Sequence, residues 1–132
     1  MKIALYLYFN GNCAEAMEYY KEVFDGKEEL KFLYSKDMTD DQSLIGKVFH
    51  AELDLGGFYL YMSDVIDKDL ENRPYKLVFE TFDASEAKSV FKKLSLEGRI
   101  ISEIAQMSFG PKIGALVDKY GTTWNVVIAD SQ

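Results

Sequence analysis

The sequence predicts an α+β protein of two successive β-α-β-β-β repeats, and three observations carry that prediction. First, CAEAMEYYKEVFDG, Cys13 to Gly26, and ASEAKSVFKKLSLEG, Ala84 to Gly98, read as one helical segment written twice, each following an alternating stretch. Second, the pair Gly56-Gly57 separates two alternating runs, the signature of a two-residue hairpin. Third, the two halves end on similar strands, YLYMSD and NVVIAD.

In the first half, Ile3, Leu5, Leu7 and Phe9 alternate with Ala4, Tyr6 and Tyr8, which predicts a strand over 2–9 with an apolar face and a tyrosine face. Asn12, three residues before Glu15, has the spacing of a capping box that opens a helix. Met17, Tyr20 and Phe24, with Cys13 and Ala16, form its apolar stripe, and Gly26 is expected to supply a left-handed stop. Residues 28–35 predict a second strand, and 36–43, KDMTDDQS, a loop. In VFHAELDLGGFYLYMS, Val48 to Ser63, the glycine turn fixes a register: Leu55 opposite Phe58, Leu53 opposite Leu60, Ala51 opposite Met62, all on one dry face. The other face then carries Asp54 against Tyr59, Glu52 against Tyr61 and His50 against Ser63.

The second half repeats the plan. Residues 75–82 predict a strand, Asp83 an N-cap answered by Glu86, and Ala87, Val90, Phe91 and Leu94 a helical stripe ended by Gly98. Residues 99–105 predict another strand, and 115–130 a hairpin turning at Asp118-Lys119-Tyr120-Gly121. The chain is expected to be a single domain, 1–132, with halves at 1–66 and 73–132.

At 132 residues and 48% apolar composition, the chain can bury a core without disulfides or a structural metal. A formal charge of −7, with 15 basic residues scattered among 22 acidic ones, argues against nucleic acid or an acidic membrane surface as partner. No apolar run approaches the ~20 residues that span a bilayer, and no secretory signal is apparent at the N-terminus. With a single cysteine, Cys13, a cytoplasmic protein is expected.

A strand pair carrying His50, Glu52, Asp54, Tyr59, Tyr61 and Ser63 on one face points that face to solvent or into a wet cavity. His50 and Glu52 are two apart and point the same way, so they could hold a divalent metal with water, or act without metal as an acid–base pair. Against both stands the plainer reading of a hydrogen-bonded histidine beside acids. Ser63 lies opposite His50 but lacks a nucleophile elbow. Cys13, in a first helical turn, is either a dipole-favoured thiolate or a small buried residue. Trp124 and Phe109 could stack on an aromatic ligand, and Phe109-Gly110-Pro111 could form a lid, although Trp on a strand is usually core and Gly-Pro is first a turn signal. No Gly-rich nucleotide fingerprint is present, since GGFYL is a hairpin turn.

The stretches YLYFNGNCAEAMEYYKEVF and HAELDLGGFYLYMSD, and above all Gly114 to Asn125 within FGPKIGALVDKYGTTWNVVI, resemble the vicinal oxygen chelate superfamily of glyoxalases, extradiol dioxygenases and bleomycin-resistance proteins, most nearly its PhnB-like branch. The resemblance covers essentially the whole chain. It implies curled mixed sheets around a cavity and a homodimer. It also implies four metal-ligand positions near Tyr6, Tyr61, Leu77 and Asn125, none of which is His or Glu. Relatives in this branch have carried a demethylubiquinone methyltransferase label, but nothing here looks like a nucleotide-type methyl-donor site.

The expected protein is therefore a homodimer binding a small, partly aromatic or amphipathic molecule, with no metal and no cofactor. Tyr6, Tyr8, Tyr59, Tyr61, Ser63, Leu77, Phe109 and Asn125 would contact the ligand, with His50 and Glu52 for orientation or proton transfer. The alternatives are a metal-dependent lyase, isomerase or dioxygenase centred on His50 and Glu52, and an interaction module with a vestigial cavity. Whether the protein is an enzyme is left open by the sequence.

Overall fold

The computed structural model describes residues 2–66, 75–108 and 110–130. The chain divides into two compact units at residues 70/71. The first contains β1 (Ala4–Phe9), α1 (Cys13–Phe24), β2 (Lys27–Leu33), β3 (Val48–Asp54) and β4 (Tyr59–Asp64). The second contains β5 (Leu77–Thr81), α2 (Ala84–Ser95), β6 (Arg99–Gln106), β7 (Lys112–Val117) and β8 (Thr123–Ile128). Each unit is one four-stranded sheet, in the orders β1-β4-β3-β2 and β5-β8-β7-β6. The first strand of each unit runs parallel to the last, and the other pairings are antiparallel. These are the two β-α-β-β-β repeats of an α+β protein.

The hairpin register follows from its glycine turn as expected: Ala51 pairs with Met62, Glu52 with Tyr61, Leu53 with Leu60 and Asp54 with Tyr59. Ala51, Leu53, Leu60 and Met62 are fully buried, and α1 packs on this face with Cys13, Ala16, Met17 and Tyr20. Side chains such as Leu53 or Met62 each contribute about 1.5–3 kcal/mol by leaving water. The dry face is shorter than expected, because Phe58 at the hairpin tip is 38% exposed. In the second unit Ala87, Val90, Phe91 and Leu94 form the buried stripe of α2, facing Leu116, Trp124 and Val126.

Three local expectations change. Asn12 makes no side-chain cap bond to α1. Its place is taken by Asp64 at the end of β4, whose Oδ1 accepts the amides of Gly11 and Cys13 at 2.9 Å each, while Oδ2 accepts Val48 N–H at 2.9 Å. Asp83, by contrast, caps α2 as read from the sequence, accepting from the Ser85 and Glu86 amides. Gly26 and Gly98 are not the left-handed residues. Asp25 (φ 52°) and Glu97 (φ 59°) are, and each following glycine is needed for close approach. A Cβ on Gly26 would stand 2.6 Å from Leu55 Cδ2 and 3.1 Å from Asp54 O, and one on Gly98 would collide with Val117 O. The two helices thus return to their sheets over the same point, the end of the third strand of each unit.

The final hairpin turns at Asp118–Gly121 as expected, but β7 begins at Lys112, ahead of the anticipated start. Asp118 is buried and organises the turn: its Oδ1 accepts the amides of Tyr120 and Thr122, and its Oδ2 accepts Trp124 Nε1–H at 2.9 Å. Among the described residues no helix is long and apolar enough to cross a membrane.

Candidate functional site

The face of the first sheet opposite α1 is assembled from alternate residues of its strands. β1 supplies Ala4, Tyr6 and Tyr8, paired respectively with Tyr59, Tyr61 and Ser63 of β4. β3 adds His50 and Glu52, with Glu52 beside Tyr61 and Phe32 of β2 beside His50. Seven residues singled out from the sequence, Tyr6, Tyr8, His50, Glu52, Tyr59, Tyr61 and Ser63, therefore share one surface.

At its centre is a hydrogen-bonded chain. The Tyr6 hydroxyl meets His50 Nδ1 at 2.8 Å, and His50 Nε2 meets Glu52 Oε2 at 2.8 Å. An ionised carboxylate only accepts, so Nε2 carries the hydrogen toward Glu52 and, in the neutral ring, Nδ1 accepts from the tyrosine O–H. Burial raises the Tyr6 pKa above its ordinary value, and a hydrogen bond with Ser63 opposes that rise. Ser63 itself is only 4% exposed, so its part on this face is the bond to Tyr6 rather than an open contact for a ligand.

Around this chain the rings are ordered. Tyr8 stacks on Tyr6 with centroids 4.9 Å apart and remains 45% exposed. Tyr61 stands edge-on to both Tyr6 (6.2 Å) and His50 (5.4 Å). Lys2, just ahead of β1, was overlooked in the sequence. Its ammonium lies 4.1 Å from the Tyr59 ring centre, 5.4 Å from that of Tyr61 and 3.8 Å from Glu52 Oε1. The alternation of even-numbered residues from Tyr8 back through Tyr6 and Ala4 runs on to Lys2 and could have found it.

The remaining sequence candidates lie elsewhere. Leu77 pairs with Trp124 on the helix-facing side of the second sheet. Asn125 is on the opposite side, paired with Val78 and Ala115, so Leu77 and Asn125 do not share a face. Trp124 is core, 4% exposed and bonded to Asp118. Phe109 falls outside the described residues. Cys13 is fully buried, and burial, followed by the nearby Asp64 carboxylate, pushes its pKa up to about 12. It is a thiol of the core and not an activated nucleophile.

The superfamily's metal does not fit this donor set. The positions read from the sequence hold two phenols, an aliphatic chain and an amide, Val78 beside Asn125 is aliphatic like Leu77, and the Tyr6 hydroxyl is already bonded to His50. Among the described residues no three His, Cys, Asp or Glu side chains are grouped to hold an ion.

The two β-α-β-β-β units, together with the relatives that follow, show a protein of the vicinal oxygen chelate superfamily, PhnB-like branch. A family model described as 3-demethylubiquinone-9 3-methyltransferase matches residues 1–127, and the chain belongs to that family. It is similar to Protein YjdN of Escherichia coli (strain K12), 22% identical over 144 residues, covering 100% of this chain and 98% of the relative. Among solved structures it resembles a PhnB protein from Bacillus cereus described as a 3-demethylubiquinone-9 3-methyltransferase, at 28% identity and TM-score 0.80, covering 95% and 97% of the two chains. It also resembles protein PA1353 from Pseudomonas aeruginosa, at 26% identity and TM-score 0.82, with 95% of each chain covered. The fosfomycin resistance protein FosX from Listeria monocytogenes shares the fold at 9% identity and TM-score 0.72, covering 98% and 94%.

Proposed function

We propose that this protein binds a small, partly aromatic or amphipathic molecule on the tyrosine face of its first unit, without a metal, and that His50 and Glu52 orient the Tyr6 hydroxyl toward it. The observation that carries this reading is the engagement of both imidazole nitrogens, Nδ1 by Tyr6 and Nε2 by Glu52. A metal bound through His50 would have to break one of two 2.8 Å bonds and strip a proton or a partner from the ring. The half-exposed Tyr8 and Phe32 flank this polar chain with ring surface, the mixture of apolar wall and few fixed polar groups that suits a small organic ligand. The methyl transfer in the family's description is not part of this reading, which rests on the hydrogen-bonded chain of Tyr6, His50 and Glu52. A cytoplasmic homodimer belongs to the same proposal, and light scattering of the purified chain tests its oligomeric part.

The test is thermal unfolding of chelator-stripped protein with Mg²⁺, Mn²⁺, Fe²⁺, Ni²⁺ and Zn²⁺, alongside a set of small aromatic compounds. A ligand at about 100 times its Kd adds about 2.7 kcal/mol to stability, several degrees in a domain of this size. The expected result is a flat metal series and a saturable rise with aromatic compounds. A reversible metal-dependent rise that disappears in His50→Ala would overturn the metal-free reading in favour of metal-assisted chemistry.

A further inference from the structure

We infer that Tyr59, Tyr61 and Glu52 form a subsite for an organic cation, filled in this structure by the chain's own Lys2, and that the ligand of the tyrosine face carries an ammonium group that displaces it. The inference rests on the binding reading above and specifies its ligand class.

Tyr59 and Tyr61 are two apart on β4, so both rings lie on one face, and across the hairpin each has a carboxylate opposite, Asp54 and Glu52. Such a place favours positive charge twice, through the ring faces and through the acids. Lys2 demonstrates the preference: its ammonium sits over both rings, 4.1 and 5.4 Å from their centres, and 3.8 Å from Glu52. A hydrogen bond to the Tyr61 hydroxyl, with the Glu52 carboxylate adding to it, holds the Lys2 pKa above its ordinary value.

Lys2 is nevertheless weakly held. It precedes the first residue of β1, its side chain is 45% exposed, and an exposed ion pair with one carboxylate is worth little. A ligand ammonium can take the position while the lysine swings into water, and the Tyr6–Tyr8 stack on the same face receives the rest of the molecule. An anionic ligand would meet Glu52 and Asp54 instead. Asp54 is anchored to the Gly56 amide at 2.8 Å and stays as a fixed negative charge at the rim.

The experiment is a set of NMR titrations of the full chain with benzyltrimethylammonium, benzyl alcohol and 3-phenylpropionate, on the wild type, Lys2→Met, Tyr59→Leu and Glu52→Gln, with circular dichroism to establish that each variant is folded. The cation is expected to bind more tightly than its neutral and anionic counterparts. Lys2→Met should strengthen cation binding about threefold to fivefold, and Tyr59→Leu and Glu52→Gln should weaken it by a similar factor. Equal binding of cation and neutral ring, or no gain in Lys2→Met, overturns the cation subsite and leaves the broader binding proposal standing. Failure of all three probes to bind any variant sinks both together.

Discussion

The Asp64 carboxylate lies 2.9 Å from the Cys13 amide, across 51 residues of chain, and does for α1 what Asn12 does not. The same side chain also holds Gly11 and the first residue of β3, so one buried acid ties a helix start to two strands.

Asp64→Ala leaves three backbone N–H groups without that acceptor, two of them at buried contacts. Each buried orphan costs about 1–3 kcal/mol, so a loss of about 3 kcal/mol or more is expected in urea unfolding. Asp83→Ala removes an exposed cap and should cost about 1 kcal/mol. Similar losses for the two variants would mean that Asp64 is not the tie described.

Gly26 and Gly98 test steric need in matched positions. Gly98→Ala drives a methyl into the Val117 carbonyl, which is backbone and cannot move aside, whereas the nearest obstacle at Gly26 is the end of the Leu55 side chain. Overpacking of this kind costs about 1–3 kcal/mol. Gly98→Ala should fall toward the upper end and Gly26→Ala toward the lower, as read from denaturation midpoints.

Cys13 makes a prediction in alkali. Its pKa is raised from 9.0 to about 12 in the folded chain, so the buried thiol stabilises the fold fully below pH 9. That contribution is lost as pH climbs from 9 toward 12, because the unfolded chain gives up the proton first. The stability of wild type should therefore fall more steeply across this window than that of Cys13→Ala. Parallel curves would show that the thiol is not desolvated.

His50 is the only histidine in the chain, which makes its ring nitrogens directly assignable. In the neutral ring, long-range ¹H–¹⁵N spectra should find the hydrogen on Nε2, with Nδ1 as the acceptor. Tyr6→Phe should move the Nδ1 resonance while leaving the tautomer set by Glu52. A hydrogen on Nδ1 in wild type would contradict the chain from Glu52 to Tyr6.

Local signals made much of this molecule legible in advance. The Gly56-Gly57 turn fixes its own register, and that register places His50, Glu52, Tyr59 and Tyr61 on one face. Asp83 caps the helix that begins one residue later. What escaped was long-range or steric. Asp64 displaces Asn12 from a distance that no spacing rule covers, and Gly26 marks a helix end correctly for a different reason, since the need is set by a strand some 30 residues away. Leu77 was misplaced with respect to Asn125 because one step along a strand reverses the face. Lys2 continues the alternation of Tyr8, Tyr6 and Ala4, but its place over Tyr59 and Tyr61 depends on β4, which local spacing does not reach.

The chain holds one thiol and one indole, and they fall in different units: Cys13 buried in the first, Trp124 buried in the second. Each half thus contains its own natural reporter, and no label is needed to watch them separately. Trapping of the thiol follows the opening of the first half, and emission of the indole follows the second. Coincident curves in denaturant would mean that the duplicated halves stand or fall together. Separate curves would mean that each half keeps its own folding equilibrium, so that a ligand on the tyrosine face would protect the thiol while leaving the indole unprotected.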